Sequence, residues 1–262
     1  MWRYANASVR GTSHAKTGAP CQDYSLCRTF VDRNGGEVLA AVVSDGAGSA
    51  SRSDEGSELV CSMFIDAVGQ HLEEGGRVDE LTREFCEAWL DRFQNTVRGL
   101  AEKEGCRSRE FACTLLAAVV CEDAAVFIQI GDGAIVFSEK EDVYMWEFWP
   151  QQGEYENTTY FATQSSAKNV LQYSLHTGRI YGEVALFTDG IQRLALHYQT
   201  KTAYGPFFLP FFSILRNLEP SDNDRYRDSL RAFLESGRVN ERTDDDKTLV
   251  LATRMSKRDD AS

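Results

Sequence analysis

The stretch Leu39-Ala-Ala-Val-Val-Ser-Asp-Gly46 is an apolar run that ends on an acidic residue and a glycine. Such a run predicts a buried β-strand, and a strand fixes the position of a carboxylate at its end. The glycine leaves the backbone oxygen at that end open to a ligand. The stretch Val184-Ala-Leu-Phe-Thr-Asp-Gly190 repeats the pattern far along the chain. The repetition indicates one site that folding assembles from two strand ends.

A third acidic segment, Thr243-Asp-Asp-Asp-Lys-Thr248, precedes the last predicted strand. If that strand runs antiparallel to the other two, its start lies beside their ends, and the carboxylates converge at one edge of a sheet. Hard divalent cations such as Mg²⁺ and Mn²⁺ prefer this all-oxygen environment. Asp-Gly is also a common turn, so any one of these sites alone is explained by turn chemistry. Asp132, between two glycines and two apolar strands, by itself predicts a tight hairpin.

Apolar periodicity predicts the remaining elements. Ser53 or Asp54 is expected to cap a helix that runs to about Leu72. Residues 11–23 form a polar segment, and residues 150–157 are predicted to form a surface loop. Further helices are predicted at 79–103, 191–196, 206–217 and 222–235, and strands at 4–10, 24–31, 37–44, 112–120, 124–130, 134–137, 143–148, 158–163, 180–188 and 249–253. Sheets covered by helices in one α+β domain fit this order best.

The composition is that of an ordinary globular protein. The chain has 262 residues, of which 42% are hydrophobic, and a net charge of −12 with a pI near 4.9. Such a surface as a whole repels nucleic acid and anionic membranes, so neither is expected as a partner. No apolar run approaches the roughly 18 residues of a membrane span, and the start of the chain lacks a signal peptide, which predicts a cytoplasmic protein. Seven cysteines without metal or redox spacing predict reduced, structural thiols.

Five acidic motifs occur in one order along the chain: Cys21-Gln-Asp-Tyr24, Asp45-Gly46, Gly131-Asp132, Thr188-Asp-Gly190 and Asp245-Asp-Lys-Thr248. In their order and spacing, they resemble the metal-dependent protein phosphatases of the 2C type, and small bacterial members look most similar. The resemblance implies an α+β fold with a two-layer antiparallel β-sandwich flanked by helices, and a metal site at one end. Residues 1–255 are then expected to form one phosphatase domain, and residues 256–262 a frayed, charged tail.

The resemblance also implies roles for the acidic residues. Asp45 would bridge two metal ions, and the carbonyl oxygen of Gly46 would bind one of them. Asp189 and Asp245 would bind the other ion. Asp132, together with Asp189, matches a third and weaker metal position of the family.

The resemblance also concerns Asp23 and Asp246. Asp23 would hold water molecules at the metals and so take part in catalysis with Asp45. Asp246 remains an alternative to Asp245, because the acidic run allows a shift of one residue. Two Mn²⁺ or Mg²⁺ ions would lower the pKa of a shared water toward about 7, and that water would attack phosphorus. The implied substrates are proteins phosphorylated on serine or threonine, which also implies a serine/threonine kinase as a partner.

The chain departs from the family at three points. The family often has a glutamate where this chain has Gln22, which brings no charge to the metals. Animal members have a histidine after the Asp-Gly motif, where this chain has Ala47. The family's phosphate-binding arginine corresponds to Gly18, so Lys16 or His14 is the candidate replacement, unless both are ordinary loop residues.

Other chemistries fit less well. The two Cys-x₅-Arg spacings, at Cys27 and Cys86, lie in a predicted strand and a predicted helix, where no phosphate-cradling loop can form. The sequence lacks a nucleotide-binding Gly-rich loop and a serine nucleophile elbow. The main hypothesis is therefore a metal-dependent serine/threonine protein phosphatase. The alternatives are a degenerate phosphatase that binds phosphoproteins or a kinase, and a calcium-stabilised structural domain.

Overall fold

The computed structural model describes residues 1–152 and 159–255. The strands are β1 (Trp2–Val9), β2 (Tyr24–Val31), β3 (Glu37–Ser44), β4 (Leu115–Val120), β5 (Ala124–Ile130), β6 (Ala134–Lys140), β7 (Val143–Trp146), β8 (Gln172–Thr177), β9 (Glu183–Phe187), β10 (Leu196–His197), β11 (Thr202–Ala203) and β12 (Lys247–Arg254). The helices are α1 (Thr12–Thr17), α2 (Ser53–Glu73), α3 (Arg83–Lys103), α4 (Ala167–Val170), α5 (Gln192–Ala195), α6 (Gly205–Arg216), α7 (Asn223–Leu234) and α8 (Gly237–Asn240).

Two antiparallel sheets form the centre of the described structure. Sheet I has the order β1-β12-β9-β6-β7, and sheet II has the order β2-β3-β4-β5-β8. The first strand therefore pairs with the last: Trp2 lies opposite Arg254 and Val9 opposite Lys247. This pairing brings the two ends of the sequence into one sheet and places the acidic segment before β12 beside the end of β9.

Strand β3 is apolar from residue 38 to residue 43 because both faces of sheet II are covered. Successive side chains of a strand point to opposite faces. Val38 and Val42 belong to the core that α2 and α3 form on the outer face. Leu39 and Val43 belong to the core between the two sheets, together with Val250 of β12. The continuous apolar run in the sequence thus reflects a strand buried on both sides.

Helices cover the outer face of each sheet. On sheet II, Phe64 of α2 and Trp89 of α3 meet edge to face, with ring centroids 5.1 Å apart. On sheet I, Phe208 of α6 contacts Tyr144 of β7 and Phe187 of β9 at centroid distances of 5.3 and 6.0 Å. The order of layers is helix, sheet, sheet, helix, which confirms the predicted α+β sandwich.

Several element predictions were wrong in detail. No strand forms over residues 159–163, where Ala162 donates its N–H to Cys113 O and Gln164 closes a turn onto Phe161 O; Thr158 lies outside the described residues. Helix α3 begins at Arg83 rather than at residue 79, because Thr82 caps it by accepting from the Phe85 N–H. Neither Ser53 nor Asp54 is the N-cap of α2, which is Arg52 without a side-chain cap.

The sequence analysis also missed six short elements: α1, inside the polar segment 11–23, and α4, β8, β10, β11 and α8. Strand β8 pairs with β5 at the edge of sheet II. The surface loop predicted at 150–157 falls largely on residues outside the described part of the chain. All seven cysteines lie in the described part and are unpaired, as predicted.

The acidic strand ends meet between the two sheets. Strand β12 runs antiparallel to β9, as the sequence analysis required. Strand β3, however, belongs to sheet II, whereas β9 and β12 belong to sheet I. The three acidic segments therefore converge at one end of the sandwich across both sheets, and the expectation of a single sheet edge was wrong.

Candidate metal centre

Asp45 is held by hydrogen bonds to the start of β4. Its N–H donates to Thr114 Oγ1 at 2.8 Å, and the Thr114 N–H donates back to Asp45 O at 2.8 Å. The Ser44 hydroxyl donates to Thr114 O at 2.6 Å. These bonds continue the pairing of β3 with β4 beyond the ends of both strands, so the backbone fixes the direction of the Asp45 carboxylate.

Gly46 is required by close packing at this point. A Cβ atom built on Gly46 would lie 2.6 Å from Gln22 O and 2.8 Å from the Ser53 Cβ, which is closer than real Cβ contacts. The Gly46 N–H donates to the same Gln22 oxygen at 3.1 Å. Among the described residues, no backbone N–H donates to the Gly46 carbonyl oxygen. That oxygen is therefore free of a backbone partner.

Gly190 has the equivalent role after Asp189. A Cβ atom at this position would lie 1.9 Å from Asp246 O, so only glycine allows the end of β9 to pass the start of β12. Asp189 begins a 3₁₀ turn, Asp189–Ile191, that leads into α5. The glycine thus explains how two acidic segments of sheet I come to lie side by side.

Three of the predicted ligands form one cluster. Asp45, Asp132 and Asp189 each offer a carboxylate oxygen, and these three atoms lie within 4.8 Å of one another. Asp132 lies on the short turn that connects β5 of sheet II to β6 of sheet I, so both sheets contribute to the cluster. These two strands do not pair with each other, so the tight hairpin predicted at Asp132 was wrong. Asp132 Oδ1 is buried and has no hydrogen-bond partner among the described residues.

The electrostatics of the cluster favour a cation. Burial, and then the charges of Asp23, Asp189, Asp132 and Asp245, raise the pKa of Asp45 well above its usual value. Burial, followed by the charges of Asp132 and Asp245, raises the pKa of Asp189 to about 7. Buried carboxylates at these distances repel one another unless a positive charge lies between them. An all-carboxylate donor set with an unpartnered buried oxygen fits a hard divalent ion.

Asp245 is not one of the three clustered carboxylates and is exposed, whereas Asp246 is buried. Asp245 is among the charges that raise the pKa values of Asp45, Asp132 and Asp189. Asp246 is 2% exposed and accepts hydrogen bonds from within the protein. The Asp246 carboxylate is thus occupied by donors of the protein, whereas Asp245 contributes negative charge to the cluster.

Asp246 instead organises the polar segment before β2. Its carboxylate accepts from the Gly11 and Gln22 backbone N–H groups, both at 2.6 Å, and lies 2.9 Å from His14 Nδ1. Sequence reasoning did not foresee this role, because nothing in the sequence indicates which carboxylate of an acidic run turns inward. A buried carboxylate must be satisfied by several donors, and the segment 11–22 supplies them.

Asp23 lies at the junction of the two sheets. It is 5% exposed, and the Thr188 hydroxyl donates to its Oδ2 at 2.7 Å. Burial is the main cause that raises the pKa of Asp23 well above its usual value. The other carboxylate oxygen, Oδ1, has no partner among the described residues. One oxygen is thus anchored, and the other is available to a water molecule or an ion.

Gln22, His14 and Lys16 are the weaker candidates for contact with the metals or the phosphate, and they differ in position. The Gln22 side-chain amide donates to Ala50 O at 3.3 Å, and its buried Oε1 has no partner among the described residues. A Cβ atom built on Gly48 would lie 3.9 Å from both Gln22 Oε1 and His14 Nε2. Gln22 and His14 therefore converge on the turn that follows Asp45-Gly46. Lys16 is exposed on α1 and makes no such approach.

Comparison with known proteins identifies the family to which the chain belongs. A family model described as Protein phosphatase 2C matches residues 10–235. The chain therefore belongs to the protein phosphatase 2C family, and it is a metal-dependent serine/threonine protein phosphatase. Neither the family match nor the intact acidic set favours the degenerate alternative.

A curated relative supports the same assignment. The chain is 37% identical over 253 residues to a protein named Serine/threonine-protein phosphatase 3 from Escherichia coli K12, covering 96% of this chain and 98% of that protein. Similarity over nearly the full length of both proteins indicates that they share the whole fold, including the segments that form the acidic cluster.

Solved structures agree on the fold. The phosphatase Stp1 from Staphylococcus aureus has a TM-score of 0.61 at 13% identity, and the match covers 98% of this chain and 96% of Stp1. PppA from Pseudomonas aeruginosa has a TM-score of 0.59 at 17% identity, and the match covers 96% of this chain and 97% of PppA. RsbX, solved in complex with magnesium, has a TM-score of 0.53 at 13% identity, and the match covers 96% of this chain and 94% of RsbX.

One further observation concerns membranes. None of the described helices combines the length and the apolar character that are needed to cross a bilayer.

Proposed function

We propose that this phosphatase hydrolyses phosphoserine and phosphothreonine in proteins at the centre formed by Asp45, Asp132, Asp189 and Asp245. The observation that carries the proposal is the set of carboxylates of Asp45, Asp132 and Asp189, whose oxygens lie within 4.8 Å of one another. Asp45 would bridge two ions, the Gly46 carbonyl would bind one, and Asp189 and Asp245 would bind the other. Asp132 with Asp189 would form a third and weaker position.

The ions are proposed to be Mn²⁺ or Mg²⁺. Both prefer carboxylate and carbonyl oxygens, which are the donors present here. RsbX, which has the same fold, was solved with magnesium. When bound, the ions would activate a water molecule for attack on phosphorus and would offset charge on the phosphoryl oxygens.

The chain's own residues would position that water and the substrate. Asp23, fixed on one side by the Thr188 hydroxyl, would accept a hydrogen bond from the attacking water through its unpartnered Oδ1. His14 is oriented by Asp246 at Nδ1, so that its Nε2 side faces the turn at Gly48, where it would contact the substrate phosphate. Lys16 is the alternative phosphate contact. Gln22 would offer its Oε1 to an ion or to a water molecule.

The proposal also covers the extent of the domain and the partner of the enzyme. Residues 1–255 would form a single phosphatase domain, which the pairing of β1 with β12 supports, followed by a charged tail at 256–262. The substrates would be phosphorylated by a serine/threonine kinase, the partner that this reaction requires. A cytoplasmic location remains a prediction from the sequence.

The substitution Asp45→Asn tests the proposal. We expect the variant to lose Mn²⁺-dependent hydrolysis of a phosphothreonine peptide by roughly 100-fold or more, since removing one key electrostatic group costs that much in other active sites. Mn²⁺ should also raise the unfolding temperature of the parent but not that of the variant. Asp228→Asn, at an exposed position of α7, is the matched control. Parent-like turnover by Asp45→Asn would show that the centre is wrongly assigned.

A further inference from the structure

A cavity of about 780 Å³ lies between α5, β10 and the three C-terminal helices. Its floor is a cluster of three phenylalanines, Phe207, Phe211 and Phe233. The Phe207–Phe211, Phe211–Phe233 and Phe207–Phe233 ring centroids lie 5.4, 5.0 and 6.2 Å apart. Phe211 and Phe233 are only partly buried. The cavity therefore presents an aromatic surface to whatever occupies it.

The rim of the cavity is positively charged. Arg193 of α5, Arg238 of α8 and Arg242 all line it, and no described aspartate or glutamate does. These three arginines are exposed, and none forms a salt bridge with a described residue. By contrast, Arg52 and Arg216 elsewhere in the chain are paired with carboxylates.

The positive rim stands out against the rest of the protein. The net charge of the chain is −12. Arg193 comes from α5, and Arg238 and Arg242 come from α8 and the turn after it, so two segments place three positive charges around one aromatic cavity. A low-dielectric wall strengthens the field of such charges. Guanidinium groups bind carboxylates and phosphates through paired hydrogen bonds. The cavity thus complements an anionic group that carries an apolar part.

The cavity and the acidic centre share one segment of the chain. Arg193, on the rim of the cavity, follows Asp189 by four residues through a 3₁₀ turn and the start of α5. Tyr198, which also lines the cavity, donates its hydroxyl proton to Gln192 Oε1 at the start of α5. Burial, and then the charges of Asp189 and Asp132, raise the pKa of Tyr198.

We propose that this cavity binds the segment of a phosphoprotein substrate that flanks the phosphorylated residue, and that it selects acidic side chains next to a large apolar one. The inference rests on the proposed function, because it places the scissile phosphate at the acidic cluster. The cavity is larger than a phosphoryl group requires and falls in the size range of ligand pockets. The aromatic floor receives the apolar side chain, and the arginines receive the carboxylates.

Two matched phosphothreonine peptides test the selectivity. One carries glutamates and a phenylalanine beside the phosphothreonine, and in the other glutamines replace the glutamates. The parent enzyme with Mn²⁺ should hydrolyse the acidic peptide with roughly tenfold higher kcat/KM, which corresponds to the gain from two charge-assisted hydrogen bonds at an exposed site. Equal kcat/KM for both peptides would overturn the proposal.

Substitution of the rim arginines tests whether their charges are responsible for the preference for the acidic peptide. The double variant R238Q/R242Q should lose most of the preference for the acidic peptide, through a higher KM rather than a lower kcat. R225Q, at an exposed arginine of α7 that does not line the cavity, is the control and should keep the preference. A double variant that keeps the parent's preference would contradict the assignment.

A binding measurement distinguishes failure of this inference from failure of the proposed function. The unphosphorylated acidic peptide, labelled with a fluorophore, should bind the parent more tightly than it binds R238Q/R242Q in an anisotropy titration without metal. If the enzyme hydrolyses no phosphopeptide but this difference is present, the proposed function fails and the cavity assignment stands. If both peptides are hydrolysed but no difference in binding appears, the cavity assignment fails alone.

Discussion

The Thr188 hydroxyl donates a 2.7 Å hydrogen bond to Asp23 Oδ2, and its oxygen accepts a second bond from the Thr248 N–H at 3.1 Å. One side chain at the end of β9 thereby joins the segment before β2 to the start of β12. Asp23 belongs to the side of sheet II, and the other two residues belong to sheet I. The two sheets are thus locked together by a buried polar contact at the end of the sandwich that holds the acidic cluster.

This contact predicts the effect of Thr188→Val. The substitution preserves shape but leaves Asp23 Oδ2 and the Thr248 N–H without their partner. Each unsatisfied buried group costs about 1–3 kcal/mol, so the free energy of unfolding should fall by roughly 3 kcal/mol. Turnover should fall as well, because Asp23 is no longer fixed. Urea unfolding and peptide hydrolysis measure the two effects. Thr188→Ser, which keeps the hydroxyl, should remain close to the parent, and equal stability of the valine variant would refute the role of the bond.

The stability of the metal-free protein should depend on pH. Burial and the neighbouring charges of Asp132 and Asp245 raise the pKa of Asp189 to about 7, above its value in the unfolded chain. The folded state therefore binds more protons than the unfolded state between about pH 4 and pH 7. The resulting stability is fully present below pH 4 and is lost as the pH rises through 7. The slope for one such group reaches about 1.4 kcal/mol per pH unit.

Urea unfolding in the presence of EDTA from pH 4 to pH 8 checks this dependence. Asp189→Asn removes one titrating charge, so the variant should lose less stability over this range and should exceed the parent by roughly 3 kcal/mol at pH 8. Mn²⁺ should restore the parent at pH 8. Identical pH profiles for parent and variant would contradict the electrostatic account.

His14 and Lys16 should differ in their effect on activity. His14→Asn keeps an N–H donor for Asp246 but removes the ring nitrogen that faces Gly48. We expect kcat/KM for a phosphopeptide to fall by roughly 100-fold, the lower end of the loss when one donor to a developing charge is removed. Lys16→Gln should have the smaller effect, since Lys16 is exposed. Steady-state kinetics, with unfolding curves to confirm the fold, decide the question. The reverse order would make Lys16 the phosphate contact.

Gln22→Glu should strengthen metal binding. The buried Gln22 Oε1 has no partner among the described residues, and a carboxylate there adds a negative charge beside the cluster. The Mn²⁺ concentration for half-maximal activity should fall by roughly tenfold, because ligand charge tunes the affinity for hard cations. The metal-free variant should be less stable by about 1–3 kcal/mol, the cost of a buried unpaired group. Gln22→Met, of similar length without the oxygen, should not bind Mn²⁺ more tightly.

Much of the architecture was predictable from local patterns. The apolar run before Asp45 predicted β3 with its observed bounds, and the periodic apolar residues predicted α2, α6 and α7 within about two residues. A strand buried on both faces must be apolar, and a helix with one buried face must repeat its apolar residues, so these patterns are visible in the sequence. Strand β8 has mixed polarity at the edge of sheet II and gave no such signal.

The candidate site was predictable only in part. Asp45, Asp132 and Asp189 were identified from strand ends and from the family resemblance, and the structure brings them together. The roles of Thr188 and Asp246 were not identified, because a hydroxyl before Asp-Gly and one aspartate among three have no distinctive local pattern. Their importance depends on partners in distant parts of the chain.

The sequence by itself predicted which residues can hold a cation: carboxylates at the ends of apolar strands, each followed by a glycine. These are local requirements of burial and backbone geometry. Only the tertiary structure decided that the carboxylates come from two different sheets, that Asp246 turns inward to bind the segment 11–22, and that three unpaired arginines surround an aromatic cavity. Those outcomes depend on the register of β12 between β1 and β9, which is fixed by contacts between residues at opposite ends of the chain.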